Sequence, residues 1–336
     1  MNSLPTKTRA AILRCLIEGN SIRSTVRITG AAKDTVTKLL VDAGEACAAY
    51  QRKTLRDLPS KVLQLDEVWC FVGCREKSKA TAINQHPGDV WLWTAICAET
   101  KLIPAWRVGD RSSRTAMDFC ADLSTRFTGS LQISSDGHPA YKMAVGANFD
   151  LDRTSFAQLV KIYGQDEQGH DVCVGSRKEP VFGTPDINLV STSYVERSNL
   201  TLRMSNRRYT RLTNAFSKKL ENHAHMIALG LFSYNFCTKH GTLKTSPAVA
   251  SGVAGHVWTM EEVVLMIDRH FADKLNEQFE AAFAANVTPK RTYPKSYTPT
   301  PKDELPTPWY LDPESGGPNP AVKKPGVQYD DGSELP

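Results

Sequence analysis

Residues 193–204 read Ser193-Tyr194-Val195-Glu196-Arg197-Ser198-Asn199-Leu200-Thr201-Leu202-Arg203-Met204, without Gly or Pro. Within this segment Glu196, Asn199 and Arg203 recur at positions i, i+3 and i+7, which places three polar groups on one face of an α-helix. From Arg197 to Lys219 the chain carries seven Lys or Arg and no Asp or Glu. A single carboxylate before a run of cations suggests a metal ligand beside a polyanion. A solvated helix face with a few ion pairs fits the charge run equally well.

Length and composition indicate a globular protein with an uneven distribution of charge. The chain has 336 residues, 41% hydrophobic residues, six Trp and a net charge of +5, which predicts two or three domains with a substantial core. Residues 1–61 carry eleven Lys or Arg against five Asp or Glu. Positive charge concentrated in two regions favours a nucleic-acid partner.

Other features of the composition concern the cellular location. No apolar run approaches 18 residues, so we expect no membrane partner, and the start of the chain lacks the apolar core of a signal peptide. The eight Cys are scattered, and several lie in apolar runs, as reduced core cysteines do. These features predict a cytoplasmic protein.

The first 50 residues are predicted to form an all-α helix-turn-helix domain. Helices are expected over residues 6–18, 21–28 and 31–41, with Gly30 in the turn before the third. The third helix would present outward a set of short polar and basic side chains suited to a DNA groove, namely Lys33, Thr35, Thr37 and Lys38. A small structural three-helix domain is the alternative. Residues 51–60, basic and containing Pro59, are predicted to be a linker.

Residues 61–245 are predicted to form an α/β domain with one mixed sheet. We expect strands over residues 61–72, 90–98, 102–108, 131–135 and 156–163, a helix over 115–127, and a short helical segment before the last strand. Residues 164–193 contain several Gly and Pro and are predicted to be a long loop. A C-terminal helical segment over residues 246–285 and a disordered Pro-rich tail over 286–336 complete the prediction.

Three acids occupy notable positions: Asp66 in the first strand, Asp136 at the end of the fourth, and Glu196 on the late helix. Adjacent parallel strands would bring the two aspartates to one edge of the sheet, where a packed helix could add the glutamate. Because clustered carboxylates repel one another, Mg²⁺ would suit such a group, since it prefers oxygen ligands. A structural aspartate and an ordinary Asp-Gly turn are the alternative interpretations.

Three segments resemble the catalytic core of bacterial insertion-sequence transposases of the DDE type. They are Leu65-Asp66-Glu67-Val68-Trp69-Cys70-Phe71-Val72-Gly73, then Ser134-Ser135-Asp136-Gly137-His138-Pro139-Ala140-Tyr141, and finally residues 193–204 with Arg211-Leu212-Thr213-Asn214-Ala215-Phe216-Ser217-Lys218-Lys219. The resemblance covers roughly residues 60–260 and implies a ribonuclease H-like sheet flanked by helices. The catalytic and metal-binding positions of the family fall on Asp66, Asp136 and Glu196, and Glu67 matches a common neighbour of the first.

The resemblance also implies a reaction and its partners. Two Mg²⁺ ions, for which Mn²⁺ can substitute, would support cutting of a DNA strand by water and transfer of the resulting 3′-hydroxyl to target DNA. Double-stranded DNA, from the element ends and from the target, would be the partner of a homodimer or higher oligomer on the bacterial nucleoid. A DNA-binding track would consist of Arg197, Arg203, Arg207, Arg208, Arg211, Lys218 and Lys219, with Arg203 at the transposon end.

Two other functions remain open from the sequence. One is a DNA-binding regulator of its own element that has the same core and does not cut. The other is a nuclease that hydrolyses DNA without joining strands.

Overall fold

The protein is described by a computed structural model that covers residues 4–81, 88–166, 168–210 and 214–286. The predicted tail, residues 286–336, lies outside the described residues apart from Asn286. The chain divides into two compact units, Met1–Glu277 and Gln278–Pro336. Within the described ranges, no helix is both long and apolar enough to cross a membrane.

A mixed six-stranded sheet forms the centre of the first unit, in the order β3-β2-β1-β4-β5-β6 within the described residues. Its strands are β1 (Val62–Val72), β2 (Gly88–Cys97), β3 (Trp106–Gly109), β4 (Leu131–Asp136), β5 (Thr154–Gln165) and β6 (Asp171–Phe182). β1, β4 and β5 are parallel, whereas β2, β3 and β6 pair antiparallel with their neighbours. This mixed α/β sheet is compatible with a ribonuclease H-like core.

The α-helices of the described part are α1 (Thr6–Ile17), α2 (Ile22–Thr29), α3 (Lys33–Thr54), α4 (Ser113–Ser124), α5 (Ala140–Asn148), α6 (Ser193–Ser205), α7 (Leu220–Phe232), α8 (Pro247–Ala250) and α9 (Met260–Asn286). The sequence predicts most of these helices to within a few residues. α2 begins where expected, because the Ser21 side chain accepts a hydrogen bond from the N–H of Ser24. α2 ends at Gly30, whose φ of 70° is left-handed.

Helices cover both faces of the sheet, as the strand alternation dictates. On one face, Leu65 of β1 belongs to the same buried cluster as Phe119 of α4 and Tyr141 of α5. On the other face, Val68 of β1 clusters with Val195 of α6 and with residues of α7. The central strand is therefore buried on both sides, which explains its continuous apolar sequence.

The strand predicted over residues 102–108 is shorter in the structure, where β3 is Trp106–Gly109, and two other elements differ more. The third helix was expected to end near residue 41, but α3 continues to Thr54, so the predicted linker of residues 51–60 begins inside its last turn. The predicted loop over residues 164–193 contains β6, which pairs antiparallel with β5. Most of β6 is exposed, so no alternation of apolar residues signals it in the sequence.

The extended α3 packs against α7 through a glycine. A Cβ atom added at Gly44 would lie 2.4 Å from the Cβ and 2.5 Å from the Cα of His225. Gly44 therefore allows two helices to approach closely and does not terminate α3. The three N-terminal helices share one buried cluster with the sheet, and their role as a helix-turn-helix domain stays a prediction.

We predict that Gly44→Ala lowers the free energy of unfolding by about 1–3 kcal/mol, because the added methyl group overpacks the α3–α7 contact. Gly230→Ala in α7 is the matched control, since an added Cβ meets nothing within 4 Å there. That change should raise the free energy of unfolding by about 0.5–1 kcal/mol through helix propensity. Urea denaturation measures both values, and equal stability of the two variants would contradict the close approach.

Candidate active site

The parallel pairing of β1 with β4 brings two acids together. The last paired residues of these strands are Leu65 and Ser135. The residue that follows in each strand is an aspartate, Asp66 in β1 and Asp136 in β4. The carboxyl end of the parallel pair therefore carries both side chains.

A third carboxylate joins this acid cluster. One carboxylate oxygen from each of Asp66, Glu67 and Asp136 lies within 4.8 Å of the others, close enough to share a metal ion. Counted with their main chains, all three residues are of intermediate exposure. The sequence predicted Glu196 as the third acid and treated Glu67 as a neighbour, so Glu67 is the unexpected member of the cluster.

The environment of Asp66 disfavours its charged form. Burial, followed by the negative charges of Glu67 and Asp136 and by a smaller effect of Glu196, raises the pKa of Asp66 to about 7. The amide of Asn199 donates a hydrogen bond of 2.7 Å to its Oδ2. The backbone N–H of Glu67 donates to Oδ1 at 2.9 Å. Asp66 is thus held in position while it carries an incompletely compensated charge.

Glu67 already has positive and polar partners. Arg111 donates from Nε to its Oε1 at 2.7 Å, and the hydroxyl of Tyr141 donates to Oε2 at 3.0 Å. The side chain of Glu67 is 2% exposed, whereas that of Arg111 is 47% exposed. Glu67 is therefore a satisfied buried carboxylate.

A tight turn fixes Asp136. The backbone N–H of His138 donates to Asp136 Oδ1 at 3.0 Å. The amide of Gln158 on β5 donates to the carbonyl oxygens of Asp136 and His138 at 2.8 and 3.0 Å. Because the His138 ring accepts from the N–H of Ala140, it is the main chain of His138 that orients the aspartate.

The side chain of Gln64 attaches α6 to β1. Its Oε1 accepts hydrogen bonds from the backbone N–H groups of Tyr194 and Val195, at 2.8 and 3.1 Å. These groups belong to the first turn of the helix, where backbone donors have no partner within the helix. Asn199, one turn farther along, bonds to Asp66. Two residues of one strand face therefore fix the position of α6.

Glu196 lies on the same helix face as Asn199 but outside the acid cluster. Its Oε1 accepts from Lys161 Nζ of β5 at 3.1 Å and from the hydroxyl of Thr192 at 3.1 Å. The side chains of Glu196 and Lys161 are 46% and 42% exposed. The predicted third acid is thus near the cluster and held by a solvent-accessible ion pair.

The predicted DNA-binding residues fall into three groups. On α3, Lys33, Thr35 and Lys38 are exposed and Thr37 is partly buried, with Lys38 paired to Asp42. On α6 and in the segment after it, Arg197, Arg207, Lys218 and Lys219 are exposed, whereas Arg203 and Arg208 are partly buried around a cavity. Arg211 lies outside the described residues. The expected continuous track is therefore divided between an exposed surface and a cavity wall.

Comparison with known proteins gives one informative similarity. The chain is 27% identical over 175 residues to the insertion element iso-IS1n protein InsB of Shigella dysenteriae, an alignment that covers 52% of this chain and 97% of the relative. No family model matches the chain. The similarity supports a function related to transposition.

Sequence reasoning missed several residues around the acids. Asn199 had a signal, because it shares the i, i+3 pattern with Glu196, and the adjacency of Glu67 to Asp66 was also visible. Lys161 and Arg111 had no signal in the sequence, since their contacts depend on the tertiary fold.

The donor set of clustered carboxylate oxygens suits a hard divalent cation such as Mg²⁺ or Mn²⁺.

We predict that Asp66→Asn stabilises the metal-free protein at alkaline pH. A folded-state pKa near 7, above that of the unfolded chain, means that wild type loses stability as the pH rises through this value. Between pH 5 and pH 8 the wild type should lose about 2–3 kcal/mol relative to Asp66→Asn. Denaturation in EDTA at several pH values measures the difference. Parallel stability curves for the two proteins would contradict the raised pKa.

Proposed function

We propose that the protein is a DDE-type transposase that hydrolyses a phosphodiester at insertion-sequence ends and transfers the freed strand to target DNA. Asp66, Asp136 and Glu196 are its catalytic metal ligands in this proposal. The observation that carries it is the approach of Asp66 and Asp136 at the carboxyl end of two parallel strands, beside α6. The similarity to an insertion element protein supports the same function.

The chemistry of the acid cluster fits divalent cations. Burial and neighbouring carboxylates raise the pKa of Asp66, so a cation would relieve a repulsion that the metal-free site retains. Two bound ions of this kind activate the attacking oxygen and stabilise the leaving oxygen of a phosphodiester displacement. Mg²⁺ is the expected ion, and Mn²⁺ can replace it because both prefer oxygen ligands.

Glu196 remains our choice for the third acid although Glu67 is closer. The Glu67 side chain is 2% exposed and already accepts hydrogen bonds from Arg111 and Tyr141, so a change of partner would leave polar groups of this buried site unpaired. The Glu196–Lys161 pair is exposed, and exposed pairs contribute only about 0–1 kcal/mol. Glu196 can therefore exchange Lys161 for a cation at little cost. Its charge already acts on Asp66.

The neighbouring side chains position the acids for this reaction. Asn199 donates to Oδ2 of Asp66, and the backbone N–H of Glu67 donates to Oδ1 of the same side chain. Gln158 fixes the turn that carries Asp136. Arg111 and Tyr141 compensate the charge of Glu67 close to the site. Lys161 would be released from Glu196 and become available to a phosphate of the bound strand.

Double-stranded DNA is the proposed partner. Lys33 and Lys38 on α3 would contact one part of the duplex, and the exposed cations Arg197, Arg207 and Lys219 would contact its backbone. Such contacts release counterions, so affinity should fall steeply with salt. Joining two element ends calls for a homodimer or larger assembly, and a location on the nucleoid in the cytoplasm follows from the same function.

We predict that Glu196→Gln and Asp136→Asn each reduce metal-dependent cutting by about 10³-fold or more, because catalytic residues that act together are individually indispensable. The substrate is a labelled duplex with the terminal sequences of the element, in Mg²⁺ or Mn²⁺. DNA binding in EDTA should be retained. Glu67→Gln is the matched control, and we expect it to lose no more than about 10–100-fold of the cutting activity, since Glu67 supports the ligands but is not one of them in this proposal.

The other outcomes distinguish the alternatives. Cutting that survives Glu196→Gln and is lost in Glu67→Gln would assign the third acid to Glu67. Binding without cutting by wild type, even in Mn²⁺, would favour the non-cutting DNA-binding regulator. Robust cutting without joining of a pre-cut 3′-end would identify a nuclease.

A further inference from the structure

A cavity of about 780 Å³ lies beside the distal half of β1. Its walls come from the strand residues 69–71, from Arg75, from Arg203 of α6, and from residues 208–210, 214 and 216. Beyond Leu65, β1 pairs with β2 and no longer with β4. At the end of β1, Val72 forms a bridge with Ser217. The volume is within the range of about 300–1,000 Å³ that is typical of ligand sites.

Aromatic rings form one side of this cavity. The ring centroids of Trp69 and Phe71 are 5.9 Å apart, and those of Phe71 and Phe216 are 4.9 Å apart with planes inclined at 36°. All three side chains are only partly buried. Partly exposed rings in a row offer faces on which planar groups can stack.

Arginines supply positive charge at the same place. The guanidinium of Arg75 lies 5.8 Å from the Trp69 ring centre and 5.7 Å from that of Phe71. Arg208 also lines the cavity, and burial lowers its pKa to about 10, so it stays charged at neutral pH. None of the described residues that line the cavity is an Asp or a Glu. An anion would compensate this buried charge.

Buried hydrogen bonds hold this wall in place. Ser217 Oγ accepts from Arg208 Nη1 at 2.9 Å and lies 3.0 Å from His223 Nδ1. The other ring nitrogen of His223 lies 3.3 Å from the hydroxyl of Tyr209. Cys70 Sγ donates to the carbonyl of Arg208. The cavity is therefore preformed, which reduces the entropic cost of binding.

We propose that this cavity binds an unpaired nucleotide of a DNA strand. The base would stack on Trp69, Phe71 and Phe216, and the adjoining phosphates would contact Arg75 and Arg208. Trp69 lies two residues beyond Glu67 of the acid cluster on the same strand face, a distance of about 7 Å, so the bound DNA strand can continue to the acid cluster. The inference rests on the proposed function only in taking DNA as the partner.

The test compares two probes with the full-length protein in EDTA, by fluorescence anisotropy. One is a blunt duplex, and the other is the same duplex with a short unpaired oligothymidine extension. Wild type should bind the extended probe more tightly. Trp69→Ala and Phe216→Ala should each lose about tenfold of this added affinity, the usual effect of removing one stacking ring. Trp69→Phe should retain most of it, and Tyr163→Ala, at an exposed ring outside the cavity, should retain all of it.

Salt titration and crosslinking identify the contacts. Trp69→Ala should weaken binding equally at low and high salt, whereas Arg75→Ala should reduce the salt dependence by about one counterion. Photocrosslinking of a 5-iodouracil in the extension should map to a cavity residue. The proposal is overturned if the extension adds no affinity, if the cavity variants lose no more than Tyr163→Ala, or if Trp69→Phe fails like Trp69→Ala. If wild type still binds the blunt duplex tightly in those cases, the proposed function stays intact. If wild type binds neither probe, the proposed function and the nucleotide site are both overturned.

Discussion

The docking of α6 on β1 is the constraint on which the candidate site depends. Gln64 accepts from the first backbone donors of α6, and Asp66, two residues farther along the same strand face, accepts from Asn199. These bonds determine where Glu196 lies relative to Asp66, in the middle of β1. The parallel pairing of β1 with β4 places Asp136 beside Asp66 without any contribution from the helix. Strand pairing thus assembles two acids, and helix docking places Glu196, the third acid of the proposed function, near them.

The site retains electrostatic repulsion that the fold tolerates. Asp66 is crowded by other carboxylates and its pKa rises to about 7, while Glu67 obtains compensation from Arg111. The negative charge of Glu196 is compensated by Lys161 in a solvent-accessible ion pair. The Glu67 carboxylate is 2% exposed, although its partner Arg111 reaches solvent, whereas both side chains of the Glu196–Lys161 pair are nearly half exposed, so that pair can open at little cost. This difference underlies our proposal that Glu196, and not Glu67, is the third catalytic acid.

The spacing of apolar residues in the sequence predicted the helices and strands that are buried. It did not predict β6, which is exposed. The sequence predicts β1 and α6 closely because their apolar residues pack on neighbours. β6 has no such signal, since it is exposed and is held by backbone pairing with β5. Gly44 belongs to a helix because α7 requires a close approach there, which the sequence cannot reveal. The approach of the two aspartates was predictable from adjacent parallel strands, one carrying Asp66 and the other ending at Asp136, whereas contacts such as Lys161–Glu196 depend on the fold.

A crystal structure of the protein with Mn²⁺, using the anomalous signal of the ion, would show which acids bind the metal. We expect an anomalous peak bonded to oxygens of both Asp66 and Asp136, with Glu196 turned from Lys161 toward the ion. Absence of a peak at these aspartates in crystals that bind Mn²⁺ elsewhere would contradict it. A peak ligated by Glu67 while Glu196 stays paired with Lys161 would contradict the assignment of the third acid.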